Sequence, residues 1–314
     1  MRTSLGFALT ALLAAGLAGA AQAAGGPSLR EDAGLTGIAT PTGFRYVAIG
    51  ERNRTVLARI SPHQRVVAVR FLAGRYTIAG VAYDGTATGL SADGKTLVLV
   101  RPRLTYPRAK TDFLIVSTPD LHVRDAVTLR GDFSLDAVSP DGSMLYFIQY
   151  LSRKDPTEYA VRAFDREGGR IVPEPVVDKS EPGEEMRGNP VSRATSPDGR
   201  WAYTLYDGGG KAPFVHALDT VAVAAHCIDL DALAGRVDLP NLRLRLRNGS
   251  LAVVSAKERV AVIDTASFQV GEPRRESSGN GANGRWPAIG VLAALLSATA
   301  VSLIIRRRRR LSPV

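Results

Sequence analysis

The chain holds one cysteine, Cys227, and four histidines, and aromatic residues make up only 6% of it. One cysteine excludes an intramolecular disulfide, so a folded domain here has to rest on a buried apolar core. In "AVAAHCIDL" the thiol lies among apolar residues and reads as a small buried hydrophobe. His63, His122, His216 and His226 fall in separate segments, and none has metal-ligand spacing to another histidine, a cysteine or a carboxylate. His226 and Cys227 are neighbours on an extended stretch, which points them to opposite faces. Neither a Gly-X-Ser-X-Gly elbow nor a His-Glu-X-X-His pair is present. "YDGGGKAPF" lacks the Ser or Thr that a phosphate loop needs after Lys211 and has strand-like segments on both sides, so it reads as a hairpin loop. No metal or cofactor is expected.

The two ends read as addresses. "MRTSLGFALTALLAAGLAGAAQA" has Arg2, an apolar run from Leu5 to Leu17 and Ala21-Gln22-Ala23. It predicts a secretory signal peptide over residues 1–24, cleaved after Ala23 or Ala24, with an uncleaved anchor as the alternative. Residues 286–305 carry no charge, begin at Trp286 and run into Arg306 to Arg310. About 20 apolar residues span a bilayer as a helix, and a basic flank stays in the cytoplasm. The expected layout is therefore a linker over 272–285, a single transmembrane helix over 286–305 and a cytoplasmic tail over 306–314. A buried core helix would leave the five arginines unexplained. "SSGNGANGR" contains no LPXTG sorting motif. The formal charge of +10 falls to +4 once Arg2 and the tail arginines are set aside, which is no nucleic-acid footprint.

Between the ends, over 35–271, one phrase recurs. "GLSADGKTLVLVRP", "AVSPDGSMLYFIQY" and "ATSPDGRWAYTLYD" each set an Asp-Gly pair before a β-rich apolar run. Weaker copies place Gly43 before "FRYVAIG" and Gly249 before "SLAVVS". Gly43, Gly94, Gly142, Gly199 and Gly249 thus recur every 48 to 57 residues, which is the period of a repeat architecture. Each unit carries a short segment upstream of its glycine ("TGIAT", "TATGL", "SLDAV", "VSRAT", "RLRLR") and two further strands downstream, four per unit. Strands such as "TLVLV" are apolar at every position, as expected when both faces are covered. The fold class expected is all-β: a β-propeller of five four-stranded blades.

The phrase resembles the repeats of bacterial extracytoplasmic propellers of the TolB-like and YVTN classes, over about three quarters of the chain. The resemblance implies that Asp93-Gly94, Asp141-Gly142 and Asp198-Gly199 are structural turns between first and second strands, with Asn248-Gly249 an equivalent pair. The YVTN tetrapeptide itself is absent, and "SPDGRW" lacks one residue of a sialidase-type Asp box.

Two candidate ligand sites remain. "RLRLR" alternates Arg243 and Arg245, continuing to Arg247, on one face of an expected innermost strand, where guanidinium groups could hold a carboxylate or phosphate, form a solvated strand face, or pair with Asp136 and similar residues of neighbouring blades. "VDKSEPGEEMRGNP", with Glu184 and Glu185, is the longest insertion and reads as a solvated, mobile loop or as a recognition element, and "YLSRKDPTEY" is a second candidate loop. Adjacent carboxylates in a loop do not give the opposed geometry of acid and base catalysis. The reading is a membrane-anchored, noncatalytic binding or scaffold module outside the cytoplasm, for a protein, peptide or glycan partner. Its rivals are a lactonase-like propeller hydrolase with a site assembled over the central channel, and a spacer without a ligand.

Overall fold

The computed structural model describes residues 32–181, 186–256 and 258–271. The expected leader, linker, membrane helix and tail lie outside the described residues, as do Glu184 and Glu185. Among the described residues the secondary structure is strand, with only three-residue helical turns besides.

The strands form five successive antiparallel sheets. Blade 1 comprises β1 (Ile38–Ala39), β2 (Arg45–Glu51), β3 (Arg54–Ile60) and β4 (Val66–Ala73). Blade 2 holds β5 (Thr77–Gly80), β6 (Ala87–Thr88), β7 (Thr96–Val100), β8 (Lys110–Ser117) and β9 (Val123–Arg130). Blade 3 is β10 (Phe133–Val138), β11 (Met144–Tyr150), β12 (Tyr159–Asp165) and β13 (Arg170–Ile171). Blade 4 is β14 (Pro190–Thr195), β15 (Trp201–Tyr206), β16 (Phe214–Asp219) and β17 (Ala224–Asp229). Blade 5 is β18 (Arg243–Arg247), β19 (Ser250–Val254), β20 (Arg259–Asp264) and β21 (Val270–Gly271).

Side-chain alternation divides each middle strand between two cores. On β7, Leu97 and Leu99 pack with blade 1, whereas Val98 and Val100 pack with blade 3. On β15, Ala202 and Tyr206 face blade 3, and Tyr203 and Leu205 face blade 5. All five residues of β7 are buried, which is why the sequence does not alternate there. Apolar clusters join blades 1 and 2, 2 and 3, 3 and 4, and 4 and 5. A fifth, of Val47, Val56, Ala58 and Ile60, belongs to blade 1 alone.

In blades 2, 3 and 4 the recurring phrase closes the first turn through its own hydrogen bonds. Asp93 Oδ1 accepts from the Ser91 hydroxyl (2.6 Å) and from the Lys95 amide (2.9 Å). Asp141 does the same with Ser139 and Ser143 (2.7 and 3.0 Å), and Asp198 with Ser196 and Arg200. These bonds hold the Asp141 carboxyl down at about 2. Gly94, Gly142 and Gly199 take φ of 69°, 74° and 74°, while Asn248 and Gly249 both lie at positive φ, as a type I′ pair requires.

Blade 2 departs from the four-stranded expectation. Its inner edge is built from two pieces: β5 pairs with β7 through Thr77 and Ile78, and the Gly89–Ser91 stretch takes over farther along, with Gly89 O accepting from Val98 N at 2.7 Å. Between the two pieces, residues 79–88 leave the blade as a hairpin in which Ala79 pairs with Thr88 and Gly80 with Ala87. The segment "TATGL" thus supplies only half of an inner strand.

Candidate functional site

The inner edges of blades 1 to 4 surround one axis, and contribute together to a single cavity at the end where the Asp-Gly turns lie. Five meanders of this topology set about an axis make a β-propeller.

The blade 2 hairpin runs into that axis. At its tip Tyr83 N donates to Pro190 O (2.9 Å) and Asp84 N to Val191 O (3.2 Å) of blade 4. The Asp84 carboxylate accepts from Thr86 N and Oγ1 (2.9 and 2.6 Å), which forms the tight turn, and from the Ser192 hydroxyl (2.6 Å). Ser192 Oγ in turn accepts from Leu244 N of blade 5 at 2.9 Å. A second junction lies beside it. Arg193 of blade 4 and Asp136 of blade 3, each with a side chain 3% exposed, form an ion pair, and Arg193 Nη1 also donates to Asp136 O at 3.2 Å. That carbonyl accepts from Thr88 Oγ1 of the hairpin as well, at 3.1 Å. Blades 2, 3, 4 and 5 are thereby tied together at the axis, and the channel is bridged part-way along.

The two ends of the axis differ. At the turn end, the cavity of about 410 Å³ is lined by small and hydroxyl-bearing residues, among them Thr40, Ala92, Ala137, Thr195 and Gly199, with Arg193 as its charged group. At the other end, where the longer loops emerge, Asp132 is buried under two arginines. Arg103 reaches it through Nε and Nη2 (3.0 and 2.8 Å) and Arg108 through Nε and its backbone amide (both 3.0 Å). Arg103 also lies over the Tyr150 ring at 4.8 Å, and Tyr106 meets Tyr150 edge-on at 5.8 Å. Burial, aided by Asp132, pushes the Tyr106 hydroxyl up to about 12. Burial together with Asp207 does the same to Tyr83.

Next to this cluster the two candidate loops meet. Arg187, just after the Glu184 segment, binds Glu158 at 3.1 Å and Asp155 at 3.5 Å in the loop after β11. Under the bridge lies a groove of about 320 Å³ with a floor of Tyr159, Val161 and Met186 and a rim that includes Leu151 and Val177. Leu151 is 59% and Val177 39% exposed, a cost in water unless something covers them.

The other sequence candidates are placed as follows. Arg243, Arg245 and Arg247 share one face of β18, opposite buried Leu244, with Arg245 and Arg247 exposed. Arg243 donates to the Pro240 and Leu242 carbonyls, and Asp136, one of the alternative partners for these arginines, is paired with Arg193 of blade 4. "DGGGK" forms a short turn whose Asp207 carboxylate accepts from Gly209 N and from Asn189 N. Cys227 is half-buried and its amide donates to Asp178. His226 packs against Phe268 and Trp201, with Nδ1 3.7 Å from Asp178. Among the described residues no group of three His, Cys, Asp or Glu side chains is arranged to hold a metal ion.

Asp84, Arg103, Arg108 and Asp132 belong to none of the sequence motifs above, and Ser192 and Arg193 enter only within the strand segment "VSRAT". Signals were present for some of them. Asp84-Gly85 between "TIAG" and "TATG" is a hairpin cue, and Arg193 and Asp136 are lone charges in otherwise buried strands.

No protein-family model matches the chain, and no curated protein matches it in sequence. Among solved structures it is similar to a functionally unknown protein from Desulfotomaculum acetoxidans (15% identity, 74% of this chain and 67% of that one, TM-score 0.45). TolB from Acinetobacter baumannii is 14% identical over 73% of this chain and 52% of its own, with a TM-score of 0.41. A puromycin hydrolase is 16% identical over 78% of this chain and 40% of its own, with a TM-score of 0.40. The chain thus spans about half or less of the length of the last two. At such identities activity is left open, because one propeller scaffold hosts many.

Proposed function

We propose that the chain is a noncatalytic binding module, exported by its leader, anchored by the 286–305 helix with the basic tail in the cytoplasm, and displaying the propeller outside. The partner we infer is a peptide or protein segment that inserts an apolar side chain into the groove under Arg187. One observation carries this reading: two polar loops on either side of β12 and β13 are latched by Arg187 to Glu158 over an apolar floor whose rim leaves Leu151 and Val177 exposed. A rigid scaffold that holds loops over a pocket is the usual setting for recognition. The bridged axis supports the same reading, since Asp84, Ser192, Arg193 and Asp136 are committed to one another.

Selection of a displayed peptide library on the full chain tests this. Peptides enriched on the native protein are expected to bind the Leu151→Asp, Val177→Asp variant at least about tenfold more weakly, a loss of ~1.4 kcal/mol, with its melting temperature unchanged. Equal binding to both proteins removes the groove as the site. Topology is tested separately, in a Cys227→Ser background. A cysteine placed at residue 276 is expected to react with a membrane-impermeant thiol reagent in intact cells, and one at residue 312 is not; the reverse pattern overturns the orientation.

A further inference from the structure

The pairing register fixes which segments emerge at the loop end of the propeller. Residues 101–109 join β7 to β8 there, beyond the Val100–Phe113 pair. β17 reaches the same end at Asp229, opposite Phe214, and β18 starts from it at Arg243, opposite Val254, so the 230–242 connection lies there too. These two segments hold the two most exposed large apolar side chains among the described residues, Leu104 at 81% and Val237 at 98%.

Both side chains stand on braced backbone. Arg103 and Arg108 bind Asp132, and the Tyr106 hydroxyl donates to Ser152 O at 2.6 Å, which fixes the chain on each side of Leu104. Val237 stands between Arg236 and Asp238, which close a bidentate ion pair at 2.8 Å, and Leu233 and Leu242 are buried on either side. Loops held in this way forgo the burial free energy of the side chains they present. One exposed apolar residue is ordinary, whereas the two most exposed ones on pinned loops at one end mark a contact surface. The turn end differs: its Asp-Gly carboxylates are capped by their own turns, and Val221, at 59%, stands exposed in the turn between β16 and β17.

The chain also leaves the propeller towards the loop end. Gly271 on β21 lies opposite Val262, so the residues after it run towards the loop between β19 and β20. Once there, about ten residues of the expected 272–285 linker remain, an r.m.s. reach of roughly 17 Å for a flexible Gly- and Ser-rich chain. Placing the turn end at the bilayer instead would make the linker double back along the blade, about 20 Å.

We propose that the loop end lies on the membrane surface, with Leu104 and Val237 seated in the lipid interface. The proposal rests on the anchor placed at 286–305. Apolar groups at an interface enter the boundary of headgroups and acyl chains by about 5–10 Å, while basic side chains beside them stay at headgroup level. Arg153 and Lys154 are exposed in the loop that Ser152 ties to Tyr106, where they meet that second requirement. The groove under Arg187 is at the same end, so the segment it takes belongs to a partner held close to the bilayer.

The full chain carrying Cys227→Ser is reconstituted into vesicles of phosphatidylcholine and phosphatidylglycerol, and single cysteines are labelled with a fluorophore. Leu104→Cys and Val237→Cys probe the loop end, Val221→Cys the turn end and Ala294→Cys the helix. A lipid with a nitroxide on its acyl chain near the headgroup is expected to quench the labels at 104 and 237 at least about twofold and to leave the label at 221 unchanged. A lipid with a nitroxide deep in its acyl chain reads the label at 294 and so reports on the anchor separately. The proposal is overturned if the label at 294 is quenched while either loop-end label is not, or if the label at 221 is quenched as strongly as they are. An unquenched label at 294 shows that the anchor itself is wrong, and the proposal falls with it. Loss of peptide binding at the groove leaves the quenching pattern as it is, so the two results fail independently.

Discussion

Asp84 and Ser192, 108 residues apart in sequence, meet at 2.6 Å across the propeller axis. Ser192 is fully buried, and its hydroxyl passes the connection on to Leu244 N. One carboxylate on a hairpin tip thereby links blades 2, 4 and 5.

Removing that carboxylate should loosen the axis. Asp84→Ala deletes the acceptor for Ser192 and for both donors of Thr86, and hydrogen bonds to charged groups contribute about 1.5–3 kcal/mol each. The expected loss is about 2–4 kcal/mol in urea unfolding. A loss below about 0.5 kcal/mol would show that the hairpin tip does not brace blade 4.

The Arg193–Asp136 pair should behave as a buried ion pair. Asp136→Asn leaves a guanidinium without its counter-charge and is expected to cost about 3–5 kcal/mol. Replacing both residues by leucine is expected to recover most of that loss. If the double variant is no more stable than Asp136→Asn, the penalty comes from packing around the axis and not from the stranded charge.

His216 gives the fold a pH dependence of a specific sign. It is buried among the blade 3 and blade 4 side chains, and neither ring nitrogen has a hydrogen-bond partner. Burial, opposed by Asp136 and reinforced by Arg193, pulls it from 6.5 down to about 4. Between those values the unfolded chain binds a proton that the folded chain refuses, so stability falls as pH drops from about 6.5 towards 4, by up to about 1.4 kcal/mol per unit. His216→Gln is expected to flatten the urea midpoint between pH 6.5 and 4.5. The carboxylates held low, such as Asp141, act in a separate window: their contribution is present above 3.8 and is lost as pH falls towards 2.

The three Asp-Gly turns should not tolerate substitution equally. Gly94 faces open space, so Gly94→Ala meets only the strain of a positive φ, about 1–2 kcal/mol. A Cβ on Gly142 would lie 2.5 Å from Thr96 Oγ1 and 2.7 Å from Thr96 Cβ, so Gly142→Ala must also push blade 3 from blade 2. Gly142→Ala is expected to be more destabilising by at least about 1 kcal/mol. Equal losses at the two positions would mean that the inter-blade contact yields freely.

What could be read from the sequence follows from what is local. The Ser-X-Asp-Gly turn is closed by groups two to four residues apart, so its hydrogen bonds are implicit in the phrase, and the apolar strand after it announces burial on two faces. Both recognition loops stood out by length and polarity. Arg187 as their latch did not, because its choice of Glu158 depends on how blades 3 and 4 are set beside each other. Partner identity at the axis is hidden for the same reason: Asp136 reads as a charge in need of an arginine, but that blade 4 supplies it through Arg193 depends on how the inner strands are set about the axis. The extra hairpin of blade 2 escaped because its Asp-Gly turn resembles the turns of the repeat while falling outside their spacing.

The hairpin tip also bears on the order in which the chain can be assembled. Its partners, Pro190, Val191 and Ser192, are made more than a hundred residues after it, and Ser192 then waits for Leu244. Contacts so distant in sequence close late and slow the search. A chain emerging amino end first will therefore carry a formed second blade with an unmatched tip until the fourth has arrived. Any truncation before residue 190 leaves that tip exposed as a ready edge for the wrong partner.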